Sequence, residues 1–267
     1  MKQLKLMVLT LTLLMGTMFT SCMDSGESGP QQWAGVVKVN DGMGYVTFTD
    51  AAGTELVPTN TIPVTLNARM AYIYCQVDEG QDLSTNPKSI KITLLADPTG
   101  IDATAITTPK VGESGDVTTN APVGSLSFAS GYSTVAPFQF SENTIVLPVL
   151  YRVKNVTTTE DIKNELAKHT FTLVCYTDDI KSGDTILKLY LRYKVEDEPA
   201  AIAERATRTS SFKAYEISQI LREYTLKSGQ AKPAKITIVA KQNEYNNKLE
   251  DTSTTEKVYE IEYKTAE

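Results

Sequence analysis

The run from Thr185 to Val195 constrains the fold more than any other stretch. Leu187, Leu189, Leu191, Tyr193 and Val195 share one alternating set, while Lys188, Arg192 and Lys194 share the other. Side chains of a strand point to opposite faces in turn, so this pattern describes a strand with one apolar and one solvated face. A strand cannot bury that face alone and needs a sheet packed against a second layer. The same alternation recurs at Ile90, Ile92 and Leu94, at Ile236, Ile238 and Ala240, and at Tyr259, Ile261 and Tyr263. Asn40-Asp41-Gly42, Asp50 to Gly53 and Ser182-Gly183-Asp184 supply turn chemistry between such runs. The expectation is an all-β protein.

Two β domains are expected, a small N-terminal OB-like barrel followed by a C-terminal antiparallel β-sandwich with one or two short helices. In 33–96, short strands are read at Val36–Val39, Gly44–Thr49, Glu55–Pro58, Tyr72–Val77 and Ser89–Leu94. Their spacing suits a small closed barrel, with a small sandwich as the competing assignment. Residues 97–143 are dense in Thr, Gly, Pro, Ser and Ala, with only Ser125–Phe128 and Pro137–Phe140 strand-like. They are read as a domain connection with extra strands or as an insertion. Residues 144–267 carry the sandwich. There Thr157 followed by Glu160, with Ile162 and Leu166 one turn apart, reads as a short capped helix or a connecting turn. Ala200–Arg208 is a helical turn or a loop, and Ile217, Ile220, Leu221 and Tyr224 form a helical stripe that faces the core.

The N-terminus carries Lys2 and Lys5 ahead of an apolar run from Leu6 to Phe19. The run has the length of a signal-peptide core and falls short of the roughly 20 residues of a spanning helix. Phe19-Thr20-Ser21-Cys22 resembles a lipobox: an apolar residue, two small residues and a thiol. Residues 1–21 are therefore read as a lipoprotein signal peptide cleaved between Ser21 and Cys22, with a plain secretory signal as the alternative. Cys22 is the lipidation site, because its sulfur takes the diacylglycerol and its freed amine a further acyl chain such as palmitate. Several buried chains make such an anchor effectively permanent, at about 0.8 kcal/mol per methylene. Residues 22–32, rich in Ser, Gly, Asp and Glu, read as a flexible tether. Removal of the signal takes the formal net charge from −6 to −8. That balance opposes nucleic acid and anionic headgroups, leaving the lipid on Cys22 as the expected membrane contact. Cys75 and Cys175 lie in strand-like runs and read as small buried hydrophobes, with a bridge between them as the alternative.

The succession of segments resembles the NigD-like lipoproteins of Bacteroidetes. The resemblance rests on the lipobox, Tyr45–Asp50 and Leu56-Val57-Pro58, then His169–Val174, Leu189–Tyr193, Ser211-Phe212 leading to Ile217, Lys235–Val239 and Tyr259–Tyr263. It implies an OB-like domain, a β-sandwich and a place in the cell envelope as an outer-membrane lipoprotein, periplasmic or surface-exposed. Met23-Asp24-Ser25-Gly26-Glu27 looks like a diluted form of the acidic patch associated in that group with the outer leaflet. The family also implies a bacteriocin-immunity-like role as an expectation for some members.

No motif names a reaction. His169 is the only histidine, which removes most zinc, Ser-His-Asp and Cys-His arrangements, and it reads as a polar residue at the start of a strand. Asp178-Asp179 with Asp184, and Asp78-Glu79 with Asp82, lack the pattern of a calcium loop and read as solvated turn acids. Gly42-Met43-Gly44 lacks the third glycine and helix of a phosphate cradle and reads as a hairpin turn. Tyr45, Phe48, Tyr72 and Tyr74 could stack bases on an OB-like face, but the acidic balance opposes a nucleic acid partner. No cofactor, metal site or catalytic residue is expected. The leading reading is a lipid-anchored, non-enzymatic envelope protein that binds a protein or glycan partner. A fimbrial or surface structural subunit is the alternative, and a glycan-binding or glycan-cleaving lipoprotein is the third reading.

Overall fold

The computed structural model describes residues 31–42, 45–60, 66, 68–83, 87–113, 115–130 and 133–265. The signal segment, Cys22 with most of the tether, and Met43-Gly44 lie outside them. The chain divides into two compact units, one reaching to Ala103 and taking in Ala129–Val135, the other formed by Thr104–Phe128 and Ala136–Glu267.

The first unit is built on β1 (Gln32–Gly42), β2 (Tyr45–Thr49), β3 (Glu55–Pro58), β4 (Met70–Val77), β5 (Ser89–Leu94) and β6 (Thr99–Ile101). They form one sheet in the order β1-β2-β3-β5-β4-β6, closed by pairing of β1 with β4. All neighbours are antiparallel except β3 with β5. This is an OB-like barrel, with β6 added on β4. Its interior holds Val37, Phe48, Leu56, Ala71, Ile73, Cys75, Ile90, Ile92 and Leu94, so the alternating face at Ile90, Ile92 and Leu94 is the buried one. Trp33 packs against this core and its ring lies over Gly35, where an added Cβ would meet Trp33 Cζ2 at 2.6 Å. The glycine is what lets the indole cross the strand.

Most of β7 (Ala103–Ala105) belongs to the second unit, whereas the short ribbon of β8 (Phe128–Ser130) with β9 (Ser133–Val135) falls largely in the first. Then come β10 (Phe138–Ser141), β11 (Thr144–Val153), α1 (Thr159–Ala167), β12 (His169–Val174), β13 (Ile186–Val195), α2 (Pro199–Ala203), β14 (Thr207–Glu216), α3 (Ser218–Ser228), β15 (Lys235–Gln242) and β16 (Thr255–Glu262). Two four-stranded sheets, β10-β11-β14-β7 and β12-β13-β15-β16, share one core that includes Leu147, Val149, Leu173, Leu189, Leu191, Tyr215 and Ile238. Leu187, Leu189, Leu191, Tyr193 and Val195 are all at most 2 % exposed, as their alternation requires. The pairs β10–β11, β11–β14, β12–β13 and β15–β16 are antiparallel, while β13 and β15 run parallel because the chain crosses to the other sheet for β14 and returns through α3.

Thr104–Phe128 is part of this second unit. Ile106, Ala121, Val123 and Leu126 enter its core. Thr107 exchanges backbone bonds with Leu173 and Cys175, Val123 with Lys241 and Asn243, and Ser125 with Leu150. The segment holds on by single bridges, a mode of attachment that leaves no periodic signature in a sequence.

The helix α1 is capped by Thr158, whose Oγ1 accepts from the Asp161 N–H, rather than by Thr157. Its apolar pair faces outward: Ile162 and Leu166 are each 43 % exposed, while Glu165 is 5 % exposed. The stripe of α3 behaves as expected, with Ile220 and Tyr224 buried and Leu221 packed on the core.

Candidate functional site

The inverted face of α1 leads to the most polar place in the second core. Arg205, fully buried, donates from Nε and Nη2 to the two oxygens of Glu165 at 2.7 and 3.2 Å. Its Nη1 donates to Ala201 O and its Nη2 also to Asp197 Oδ2. The Lys154 N–H donates to Glu165 Oε1 at 2.9 Å, and the Lys154 and Lys168 ammonium groups reach Asp197. His169 Nε2 stands 3.3 Å from Glu165 Oε1 and Nδ1 is 2.7 Å from the Tyr193 hydroxyl. A carboxylate only accepts, so Nε2 carries the proton and Nδ1 accepts from Tyr193. Burial lowers the His169 pKa and outweighs the opposing Glu165 carboxylate, which keeps the ring neutral. Burial pushes the Glu165 carboxyl up, but the bonds from Lys154, Arg205 and His169 prevail and hold it below the usual range. Tyr151 and Tyr193 pack against the imidazole, and Phe171 stacks on Tyr193 at 4.6 Å. Each polar atom of Glu165, His169 and Arg205 is engaged inside the protein, so the cluster pins α1 and α2 to the sandwich.

A second place is open. Where β12 ends, a 3₁₀ turn (Thr177–Asp179) and the loop to β13 fold beside the outer face of β13 and β15. Tyr176, Asp179, Ile180, Gly183, Asp184, Thr185, Ile186, Lys188, Tyr190 and Thr237 enclose a groove of about 500 Å³. The loop is anchored. Lys227, in the last turn of α3, donates to Thr177 O, Thr177 Oγ1 and Asp178 Oδ1, the Gly183 N–H donates to Ser228 O, and the Tyr224 hydroxyl donates to Asp184 O. Gly183 has φ +88°, which allows the turn at the rim.

Tyr176 and Tyr190 wall the groove with ring centroids 5.2 Å apart and planes at 61°. Lys188 Nζ lies 5.1 Å from the Tyr190 centroid, and the Arg192 guanidinium lies 5.1 Å from Tyr190 and 5.6 Å from Tyr176. Arg192 Nη2 donates to the Tyr176 hydroxyl, which donates to Asp116 Oδ1. The outward half of the β13 alternation, Lys188, Tyr190 and Arg192, is therefore an ordered ladder of cation and ring.

Three of the acids weighed as cation ligands have partners inside the protein. Asp178 pairs with Lys227 at 3.0 Å, Asp184 Oδ2 accepts from the Lys181 N–H, and Asp78 accepts from Thr59 and Thr93. Cys75 and Cys175 are free and buried, and burial pushes both thiols up to about 12. On the barrel, Phe48 is in the core and unavailable for stacking, whereas Tyr45 is 78 % exposed. The neighbouring face is a polar ladder in which Asn40 donates to Thr47 and Thr49, and Thr47 donates to Glu55.

Comparison with known proteins bears on the whole chain. A solved structure from Bacteroides fragilis, described as a lipoprotein, is 94% identical, covers 89% of this chain and all of its own, and superposes with a TM-score of 0.82. The chain belongs to that lipoprotein's family. A protein of unknown function from Bacteroides vulgatus, 10% identical over 87% of this chain and 91% of its own with a TM-score of 0.54, shares the fold. No family model matches the chain, and no curated protein does. For a member of a lipoprotein family, the residues that would carry the lipid and the cleavage, Cys22 and Ser21, lie outside the described residues. Among the described residues no helix is long and apolar enough to cross a membrane.

Proposed function

We propose that this lipoprotein is held in the cell envelope by lipid on Cys22 and presents the Tyr176–Tyr190 groove as a binding site, without catalysing a reaction. The groove carries the reading. Its volume lies within the few hundred to about 1,000 Å³ of ligand sites, and it combines aromatic walls with a few convergent polar groups on an anchored loop. The non-enzymatic part is supported by the acid–histidine cluster, whose polar atoms are consumed in holding helices. An outer-membrane position and NigD-like membership follow the same line, supported by the lipobox and by the order of barrel and sandwich. An immunity-like role would use the groove to hold a toxin or its fragment.

The test uses the lipidated chain in detergent with its isoleucine methyl groups labelled with ¹³C for NMR. Saccharide, peptide and lipid fractions of the envelope are added in turn. The Ile180 and Ile186 signals are expected to shift saturably with at least one fraction. Indifference to all three would overturn the reading.

A further inference from the structure

The groove has a floor whose chemistry narrows its ligand. Thr237 pairs with Lys188 across β13 and β15, lines the cavity and is 8 % exposed. Its hydroxyl gives the lining a group that can both donate and accept. Above it stand the acceptors Asp179 and Asp184, the donor Lys188, the hydroxyl of Thr185, the two rings, and the apolar Ile180 and Ile186, the latter 48 % exposed.

These groups reject several ligand classes. Two carboxylates at the rim disfavour a phosphate, a nucleic acid backbone or a polyanion. Lys188 makes no ion pair among the described residues and disfavours a compact cation. A peptide adding as a strand needs an open edge, but β13 is paired on both sides, by β12 and β15. A molecule with an apolar face for the rings and the isoleucines, and several uncharged hydroxyls that donate to carboxylates while accepting from lysine and threonine, satisfies all the groups at once. A pyranose ring has that character, and the volume suits a short oligomer.

Resting on the reading of the groove as a ligand site, we infer that it takes a neutral saccharide of one to three pyranose rings, stacked against Tyr176 or Tyr190 and hydrogen-bonded to Asp179, Asp184, Lys188 and Thr237. Sugars carrying carboxylate or sulfate groups are disfavoured by the two aspartates.

The experiment titrates the lipidated chain in detergent with maltotriose, cellotriose, xylotriose, mannotriose and tri-N-acetylchitotriose, following the Ile180 and Ile186 methyl signals. At least one trisaccharide should shift both saturably. Thr237→Val keeps shape and strand propensity while deleting the floor hydroxyl, and should weaken that binding about fivefold, the effect of losing one hydrogen bond, with an unchanged melting temperature. Lys188→Gln provides an exposed second variant and should weaken it comparably. The inference is overturned if none of the trisaccharides binds, or if both variants bind as the wild type does. Should a peptide or lipid shift the same methyl signals while the sugars do not, the saccharide assignment fails and the groove remains a ligand site.

Discussion

Glu165 shows how far one residue can depart from its pattern. On α1 it occupies the buried face while Ile162 and Leu166 take the water, because Arg205, His169 and the Lys154 N–H together compensate a buried carboxylate. Removing one partner from such a cluster leaves the others buried and uncompensated. Glu165→Ala should therefore lose about 3–5 kcal/mol at pH 7, measured by chemical denaturation. The pH dependence adds a sign. His169 has a folded pKa below its unfolded value of about 6.5. Its contribution is complete above that value and is lost progressively as pH falls below it. Glu165 is also lowered, so its contribution holds above the ordinary carboxylate range and disappears as pH falls through it. Wild-type stability should decline from near neutrality downward. The gap to Glu165→Ala should narrow below about pH 4.5, where the unfolded carboxyl takes up its proton. A constant gap from pH 7 to pH 3 would contradict this account. The sequence places His169 at the start of a strand, where it stands, but Arg205 lies 40 residues from Glu165 and neither flags the other.

At the scale of elements, the strands were legible where one face is dry and the other wet. β13 and β5 alternate because each covers a core on one side. The stretch 104–128 was not, because it joins the sandwich through Thr107, Val123 and Ser125 one contact at a time. The parallel pairing of β13 with β15 was hidden for another reason: alternation describes a strand's faces and is silent about the direction of its neighbour. In the barrel, β1 depends on Gly35 beneath Trp33. Gly35→Ala forces the ring of the only tryptophan to move and should cost about 1–3 kcal/mol. The displaced indole should show a red-shifted fluorescence emission in the folded protein. Unchanged emission and stability would contradict the packing described for β1.

For the whole molecule, the candidate groove was half legible. Lys188 and Arg192 stand out in the sequence as the wet side of β13, but Tyr190 was not marked by its pattern, and Tyr176, Asp184 and Thr237 come to them from a turn and a second strand that only the fold brings near. The acidic balance opposes binding to anionic lipid headgroups, so in the proposed function attachment to a membrane would rest on covalent lipid at Cys22. Such a lipid would fix where the groove could meet a partner, and the proposed envelope-held binding protein depends on it. Growth of cells expressing the wild type or Cys22→Ala with radiolabelled palmitate tests it most directly. The account predicts label in the wild-type band and none in the variant, whereas equal labelling of the two would contradict it.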